Sequence, residues 1–245
     1  VSYVRKNRLL EDIGQLRVAT LYEDRWIWCT STSGLACFDL EKDSWEFPGE
    51  NPTSKNVFKG KWTIHSATFH EGTLWFSPFQ GTSGSNFRYL YKYDLRSDAL
   101  DSVPIAPRLA RSEPFSDLTN SILVQKDGDI SLATAGLGIL TYNESTEEWA
   151  QQIHSSNWDG TISQGQVRIL FHDRSENLWV GTESGLGIKS SRSLFRNYPQ
   201  VISLEGNSVA LSGIRNAAID NTGGLWFGKE GEGLYHLDST KTIIG

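Results

Sequence analysis

The stretch that decides the fold runs from Val167 to Ser190 and reads VRILFHDRSENLWVGTESGLGIKS. It begins with an apolar, β-prone run, passes through a polar turn into LWVGT, and ends with a Gly turn and a third run. The same unit returns between Ile214 and Leu237 as IRNAAIDNTGGLWFGKEGEGLYHL, with Leu-Trp and the Gly residues in register. The chain therefore contains an internal repeat of short strands.

The tryptophan of the second run is an anchor for finding further copies of the repeat. A degenerate copy without this tryptophan, DGDISLATAGLGILTYN, has Ser131 in its place, so the anchors are Trp28, Trp75, Ser131, Trp179 and Trp226. Successive anchors are 47, 56, 48 and 47 residues apart, and a large aliphatic residue precedes each one. The sequence therefore predicts five copies of one structural unit.

Each copy predicts strands rather than helices. Three apolar runs separated by turn residues recur in every copy, and a fourth is visible near Trp45, Trp149 and Phe195. Four antiparallel strands in a period of about 40 to 50 residues are typical of a propeller blade. We therefore expect an all-β chain, a β-propeller of about five four-stranded blades, with repeats at approximately 16–50, 62–104, 118–154, 166–200 and 213–245. Residues 1–15 are either a leader or a strand of a neighbouring blade.

The sequence does not determine whether the five blades close a ring by themselves. Closed propellers contain about four to eight blades, so five could form a ring alone. The chain starts without an obvious closing strand and stops soon after the third strand of its fifth copy, where KTIIG at 241–245 could begin an outer strand. We expect part of a larger array, such as one of about seven blades. The lack of any Met fits an excised piece.

Composition limits the classes of partner. Lys and Arg number 23 against 29 Asp and Glu, a net charge of −6, so we predict no nucleic-acid binding by this chain. No apolar run reaches the length of a membrane span. Cys29 and Cys37 could face each other across a hairpin, but both align with apolar slots of another copy, which favours two buried thiols.

The last two copies resemble a known family. VRILFHDRSENLWVGTESGLGI and IRNAAIDNTGGLWFGKEGEGLYHLD are similar to the two-component-regulator propeller repeat. In the fourth copy the matching residues are Asp173, Leu178, Trp179, Gly181, Thr182, Gly185 and Leu186. In the fifth copy they are Asp220, Gly224, Leu225, Trp226, Gly228, Gly233 and Leu234. The first copy lacks the Gly and the third lacks the Trp, so the resemblance is specific only over the last third of the chain.

The resemblance implies a function as well as a fold. Propellers of this family are similar to extracytoplasmic sensor domains of hybrid two-component histidine kinases. Such domains take part in signal transduction on the periplasmic side of a bacterial membrane and often respond to breakdown products of complex polysaccharides. The resemblance thus implies a small-molecule or oligosaccharide ligand, a membrane-anchored parent that acts as a homodimer, no cofactor, and no catalytic activity in this chain. A kinase would lie outside these residues.

The predicted ligand site lies where the innermost strand of each blade enters the central tunnel. Counting eleven residues back from each anchor gives Arg17, Ile64, Asn120, Arg168 and Arg215. Three arginines in equivalent positions suit a carboxylate or sulfate of an acidic sugar, so Arg17, Asn120, Arg168 and Arg215 are the predicted ligand-binding residues. In the competing interpretation, each arginine pairs with an acidic residue of the next blade.

Two other classes of function compete with a sensor. A free-standing carbohydrate-binding lectin would repeat its loop residues in each blade, whereas the loops here diverge, most of all in the connectors 50–62, 79–87 and 104–120. A propeller lyase or hydrolase would need an acid, a base or a metal. No two acidic residues fall at the tunnel-facing start of adjacent blades, and the five histidines are scattered, so we predict no catalytic residue and no metal.

Overall fold

The computed structural model describes residues 16–31, 34–46, 63–79, 89–105, 119–155, 160–190, 195–198, 200–202, 208–237 and 243–244. Residues 1–15 and most of the three long connectors lie outside these ranges, so the predictions made for them stay predictions. The chain divides into two compact units, Val1–Pro107 and Arg108–Gly245. The first unit holds two blades and the second holds three.

The two blades of the first unit are four-stranded antiparallel sheets whose strands pair in chain order. Blade 1 consists of β1 (Leu16–Tyr22), β2 (Trp26–Ser31), β3 (Gly34–Asp39) and β4 (Ser44–Glu46). Blade 2 consists of β5 (Thr63–His70), β6 (Thr73–Phe79), β7 (Tyr89–Asp94) and β8 (Ala99–Pro104).

The second unit repeats this arrangement three times. Blade 3 consists of β9 (Thr119–Val124), β10 (Ile130–Thr134), β11 (Ile139–Asn143) and β12 (Glu148–Gln152). Blade 4 consists of β13 (Val167–His172), β14 (Leu178–Thr182), β15 (Gly185–Lys189) and β16 (Arg196–Tyr198). A separate hairpin of β17 (Gln200–Ile202) and β18 (Ser208–Ala210) follows. Blade 5 consists of β19 (Ile214–Ile219), β20 (Leu225–Lys229), β21 (Gly233–Leu237) and β22 (Ile243–Ile244).

These sheets confirm the predicted fold class, an all-β propeller of five four-stranded blades. Every regular element in the described ranges is a strand. The predicted outer strand in KTIIG is present as β22, paired with β21. Among the described residues, no helix is long and apolar enough to span a membrane.

The anchor has the same place in every blade. It lies in the second strand, opposite one residue of the first strand and one of the third. In blade 4, for example, Trp179 lies between Phe171 and Ile188, and in blade 5 Trp226 lies between Ala218 and His236. We call the side of a sheet that carries the anchor its anchor face.

Within a unit, each blade that is followed by another packs its anchor face against that blade through one repeated set of positions. In the first unit Trp28, Leu35 and Cys37 pack in one cluster with Ile64, Ala67, Leu74, Phe76 and Tyr93 of blade 2. In the second unit the register-equivalent cluster joins Trp179, Leu186 and Ile188 to Ile214, Ala217, Leu225, Phe227 and Leu237 of blade 5. Blade 4 in turn packs Val167, Leu170, Leu178 and Val180 against Ala133 and Ile139 of blade 3. The blades are therefore joined by burial of the same apolar positions each time.

The two cysteines lie on opposite faces of blade 1. Cys37 pairs with Trp28 and Cys29 pairs with Ala36, and neighbouring residues of a strand point to opposite sides. Both are buried and free, so the prediction of two buried thiols is confirmed. Burial raises the pKa of the Cys29 thiol to about 11.

Blade 1 also contains a buried ion pair at the end of β3. The Asp39 side chain is 1% exposed and accepts hydrogen bonds from Arg25 Nε at 3.1 Å and Nη2 at 2.8 Å. The guanidinium of Arg25, together with the backbone N–H groups of Lys42 and Glu41, holds the pKa of Asp39 at about 2. This pair fixes the first hairpin of the blade to its third strand.

Candidate functional site

A β-bulge recurs near the start of the first strand in every blade. The second and third residues after the anchor are adjacent in the second strand, but they pair with first-strand residues that are two positions apart. One residue of the first strand is therefore left unpaired between them. The bulged residues are Arg17, His65, Asn120, Arg168 and Arg215. A bulge redirects its side chain and is common beside functional sites, so these five positions form the candidate site.

His65, and not Ile64, is the blade 2 counterpart of the arginines, which corrects the count made along the sequence. The first hairpin of blade 2 turns through Glu71 and Gly72 alone, so Trp75 lies opposite a residue only seven positions earlier, against eight in the other blades. Ile64 is fully buried, like its true counterpart Ile214. Gly72 was the available signal, because two-residue hairpin turns require positive φ and favour glycine.

Arg168 forms the less exposed of the two described ion pairs of the candidate site. Its Nη2 donates to Glu183 Oε1 at 2.6 Å, and the two side chains are 16% and 35% exposed. Glu183 lies in the turn between β14 and β15, at the same end of the sheet as the bulge. Its Oε2 also accepts the backbone N–H of Gln166 at 3.4 Å. The pair is therefore held by its own blade at one sheet edge.

Arg215 repeats this contact in blade 5. It forms an ion pair with Glu230, which lies four residues after its anchor, as Glu183 does. Both side chains are more exposed than those of the blade 4 pair. The interpretation that these arginines pair with the next blade is therefore wrong, because the second hairpin turn of the same blade supplies the carboxylate.

The remaining members of the candidate site differ from the arginine pairs. Asn120 Nδ2 donates to the backbone oxygen of Val167 at 2.8 Å, so this amide joins blade 3 to the strand that carries Arg168. His65 is half-buried in blade 2. The strand pairing of β1 locates Arg17 at the bulge. Its side chain lies outside the described part of the structure.

Backbone hydrogen bonds fix the acidic turn of blade 4 to the bulge region. The Glu183 N–H donates to the Gln166 oxygen at 3.2 Å, and the Glu183 oxygen accepts the Gly213 N–H at 3.2 Å. Gly213 in turn accepts the N–H of Glu230 at 3.1 Å. The two Arg–Glu pairs of blades 4 and 5 are thus positioned by one continuous backbone network.

This arrangement supplies matched donors and acceptors rather than a surplus of positive charge. Each guanidinium keeps N–H groups in a planar fork, and each carboxylate offers several lone pairs. An acidic ligand would compete with a glutamate for each arginine, whereas a sugar hydroxyl can donate to the carboxylate and accept from the guanidinium. Within the described ranges, no group of three or more His, Cys, Asp or Glu side chains is placed to hold a metal ion.

The aspartates of the repeat motif act as turn caps. Asp173 accepts the backbone N–H groups of Ser175 and Asn177 at 2.8 and 2.9 Å and the Trp179 Nε1–H at 2.8 Å. Burial alone would raise its pKa, but the hydrogen bonds from Trp179 and Asn177 prevail and lower it. Asp220 does the same for Trp226 at 3.0 Å. These carboxylates therefore orient the anchor tryptophans and belong to the scaffold.

A small cleft also lies between blades 4 and 5. Its volume is about 220 Å³ and its lining includes Asp173, Asn177, Trp179, Ile219 and Leu225. Sites for small organic ligands are commonly about 300 to 1,000 Å³, so this cleft is smaller than such a site. Most of its lining residues cap turns or pack at the interface between these two blades.

Comparison of the sequence with known proteins gives one significant relative among curated proteins. No family model matches the chain. Over 151 residues the chain is 22% identical to histidine kinase P4 of Formosa agariphila, a match that covers 62% of this chain and 10% of that protein. The chain thus spans about a tenth of the length of this relative.

Solved structures give matches over nearly the whole chain. The extracellular domains of the hybrid two-component systems BT4673 and BT3049 of B. thetaiotaomicron superpose with TM-scores of 0.65 and 0.64, at 20% and 15% identity. They cover 94% of this chain, which spans 27% and 28% of those chains. Virginiamycin B lyase of Staphylococcus aureus superposes with a TM-score of 0.61 at 14% identity, over 96% of this chain and 70% of that chain. The predicted resemblance is therefore confirmed: the chain has the β-propeller fold found in extracellular domains of hybrid two-component systems.

Proposed function

We propose that this chain is part of the extracytoplasmic sensor propeller of a hybrid two-component histidine kinase, where it binds a ligand and catalyses no reaction. The observation that carries the proposal is the match of 94% of the chain to extracellular domains of two hybrid two-component systems. The sequence likeness to a histidine kinase supports the same assignment. Membrane anchoring, the kinase and dimerisation are properties of the proposed parent protein.

The ligand in this proposal is a carbohydrate that binds at the bulge positions. The Arg168–Glu183 and Arg215–Glu230 pairs supply donors and acceptors side by side at equivalent places in adjacent blades. Sugar hydroxyls need both kinds of partner, and a guanidinium with a carboxylate provides them in a fixed geometry. Because packed sheets lie about 10 Å apart, the two pairs would bind different sugar units of an oligosaccharide.

The test is a calorimetric titration of this chain with two sets of oligosaccharides, one neutral and one carrying uronic acid or sulfate groups. We expect the neutral set to bind, and the double variant Arg168→Ala/Arg215→Ala to lose at least about tenfold in affinity, a loss of about 1.4 kcal/mol. Arg196→Ala is the matched control, because Arg196 is an exposed arginine of the outer strand β16.

Three outcomes of this titration count against parts of the proposal. Binding by the acidic set alone would overturn the role of the glutamates. Binding that survives the double variant would show that the arginines do not hold the ligand, and a large loss of thermal stability beside it would show that they support the blades instead. If chromatography detected conversion of the oligosaccharide into products, this result would contradict a non-catalytic sensor.

A further inference from the structure

Two of the three described junctions between blades, the packed interfaces of adjacent sheets, cover the anchor tryptophan with an apolar residue of the next blade. The Phe69 ring lies near Trp28 with centroids 5.7 Å apart, and Ile219 packs against the cluster that contains Trp179. Phe69 and Ile219 hold equivalent positions, because each pairs with the residue just before the anchor of its own blade. In both junctions the indole therefore lies against an apolar side chain.

The junction between blades 3 and 4 is polar at the same place. Its anchor is Ser131, and the counterpart of those two apolar residues is His172, which pairs with Leu178. His172 and Leu178 share the face of blade 4 that packs on blade 3. Ser131 shares the facing side of blade 3 with Ala133 of the same apolar cluster.

Hydrogen-bonded polar groups replace the capped tryptophan on the blade 3 side of this junction. Gln125 lies six residues before its anchor, as Asp173 does, and its Nε2 donates to Ser131 Oγ at 2.7 Å. Ser131 Oγ lies 3.0 Å from Thr141 Oγ1, and Thr141 holds the position that Ile188 has in blade 4. Ser131 itself is fully buried. Blade 3 thus presents hydroxyl groups where blade 4 presents an indole and an aliphatic side chain.

The His172 side chain has unsatisfied hydrogen-bonding groups in this junction. Both of its ring nitrogens are buried, and neither forms a hydrogen bond within the described ranges. A neutral imidazole has one donor and one acceptor, whichever tautomer it adopts. Since buried polar groups of native proteins nearly always have partners, these nitrogens point to a polar molecule bound beside His172.

The junction between blades 4 and 5 shows how much room this place can offer. Its cleft of about 220 Å³ has Trp179 and Ile219 in its lining. At the corresponding place Ser131 carries a hydroxymethyl group instead of the indole, and neighbouring atoms fill the space left by such an exchange only in part. We therefore expect a site larger than 220 Å³, which exceeds the need of one water and approaches the range of about 300 to 1,000 Å³ for small organic ligands.

We propose that the junction of blades 3 and 4 binds a small uncharged molecule with several hydroxyl groups, no larger than a monosaccharide. His172, Ser131 and Thr141 are its hydrogen-bond partners, because a ligand hydroxyl can both donate to and accept from such groups. The site lies towards the first hairpins of the blades, whereas the bulge positions lie at the other end of the sheets. It is therefore separate from the arginine pairs.

The charges around the site favour an uncharged ligand. Lys126 of blade 3 forms an ion pair with Glu176 of blade 4 across the junction. Asp129, whose Oδ1 accepts the Asn143 Nδ2–H at 2.8 Å, lies two residues before the anchor of blade 3. Lys189 of blade 4 pairs in register with Leu178, on the face towards blade 3. These four charges cancel, so they provide no net attraction for an ion.

The test is a titration of the 245-residue chain, labelled with ¹⁵N at histidine, with glycerol, xylose and glucose. Nuclear magnetic resonance follows the ring nitrogens, and the His172 signal is assigned by its loss in His172→Leu. We expect this signal to shift and to saturate with xylose or glucose. His154 is the internal control and should not shift, because its Nδ1 already lies 3.0 Å from the backbone oxygen of Ile162.

Ser131→Trp is the matched variant, because it restores the residue that four of the five copies carry at this position. It should abolish the His172 shift while the chain stays folded. Thr141→Val removes one hydroxyl group with little change of volume, and it should weaken binding by about threefold to tenfold. This second variant decides the matter if Ser131→Trp does not fold.

Several results would overturn the proposal. If none of the three probes moved the His172 signal, the histidine would bind ordered water only. A shift that persists in folded Ser131→Trp, or an unchanged affinity of Thr141→Val, would place the ligand elsewhere. Loss of the shift in Arg168→Ala/Arg215→Ala would place it at the bulges. We expect that double variant to keep the shift, so this site and the proposed oligosaccharide site fail independently.

Discussion

Two equivalent glycines, one in crowded and one in open surroundings, allow a direct test of how tightly the blades are packed. Gly181 and Gly228 each lie two residues after their anchors, in β14 and β20. A Cβ added at Gly181 would lie 2.7 Å from Ile169 Cγ2 and 3.2 Å from Ile214 Cγ2. A Cβ added at Gly228 would meet no atom of the described residues within 4 Å. The two sites therefore differ in their surroundings, because Ile169 of the same blade and Ile214 of the next blade crowd Gly181 alone.

We expect Gly181→Ala to destabilise the protein by about 2 kcal/mol, within the range of about 1 to 3 kcal/mol for added volume in a packed interior. Ile169 and Ile214 are β-branched and stiff about χ1, so their methyl groups cannot swing aside without strain. Gly228→Ala should instead leave stability unchanged or raise it by about 0.4 to 1 kcal/mol, because alanine restricts the unfolded chain. Neither glycine has a left-handed φ, so backbone strain contributes to neither result.

The assay is urea unfolding of the 245-residue chain and both variants, followed by far-ultraviolet circular dichroism, with thermal unfolding as a second measurement. A loss of about 2 kcal/mol corresponds to a fall in Tm of about 4 to 8 °C for a protein of this size. Equal effects of the two substitutions would refute the reasoning, because they would show that the contacts with Ile169 and Ile214 do not determine the cost.

Three further predictions rest on other contacts. Trp179→Ala should cost about 3 to 5 kcal/mol in urea unfolding, and Trp226→Ala less than half as much, because only Trp179 is covered. Stability should fall as the pH drops from about 4 to about 2, since the pKa of Asp39 is lowered to about 2 in the folded state and its contribution is complete only above its unfolded value. Asp39→Asn should flatten that pH dependence, while Asp101→Asn, at an exposed position, should leave it unchanged. Cys29 should resist thiol reagents at pH 8 in the native chain and react in urea, because burial raises its pKa to about 11.

The blades could be predicted from sequence because each one leaves a periodic signal. The anchor and its preceding aliphatic residue recur at a nearly constant spacing, and the apolar runs around them are short enough to be strands. Even the third copy, which has Ser131 in the anchor position, forms a blade, because Ile130 and Leu132 keep the apolar positions of its second strand.

The candidate site was predictable only in part. Counting from the anchors located Arg168 and Arg215 because their hairpins have the common length. It missed His65, since one residue fewer in a hairpin shifts the count while the strand register is unaffected. The partners Glu183 and Glu230 were also missed. They are 15 residues away from their arginines in the sequence, and only the folded sheet brings the second hairpin turn next to the bulge.

The repeated interface has a consequence for how such a protein can change during evolution. Adjacent blades of a unit pack through the same positions each time, with the anchor face of one blade against the opposite face of the next. The total stability is therefore close to a sum of nearest-neighbour contributions. A blade can then be gained or lost by duplication or deletion of one genetic segment, while the remaining junctions stay intact. Residues outside the apolar junctions, such as Arg168 and Arg215 at the bulges, are free to diverge from blade to blade. An array built in this way can acquire a new specificity without redesigning its core.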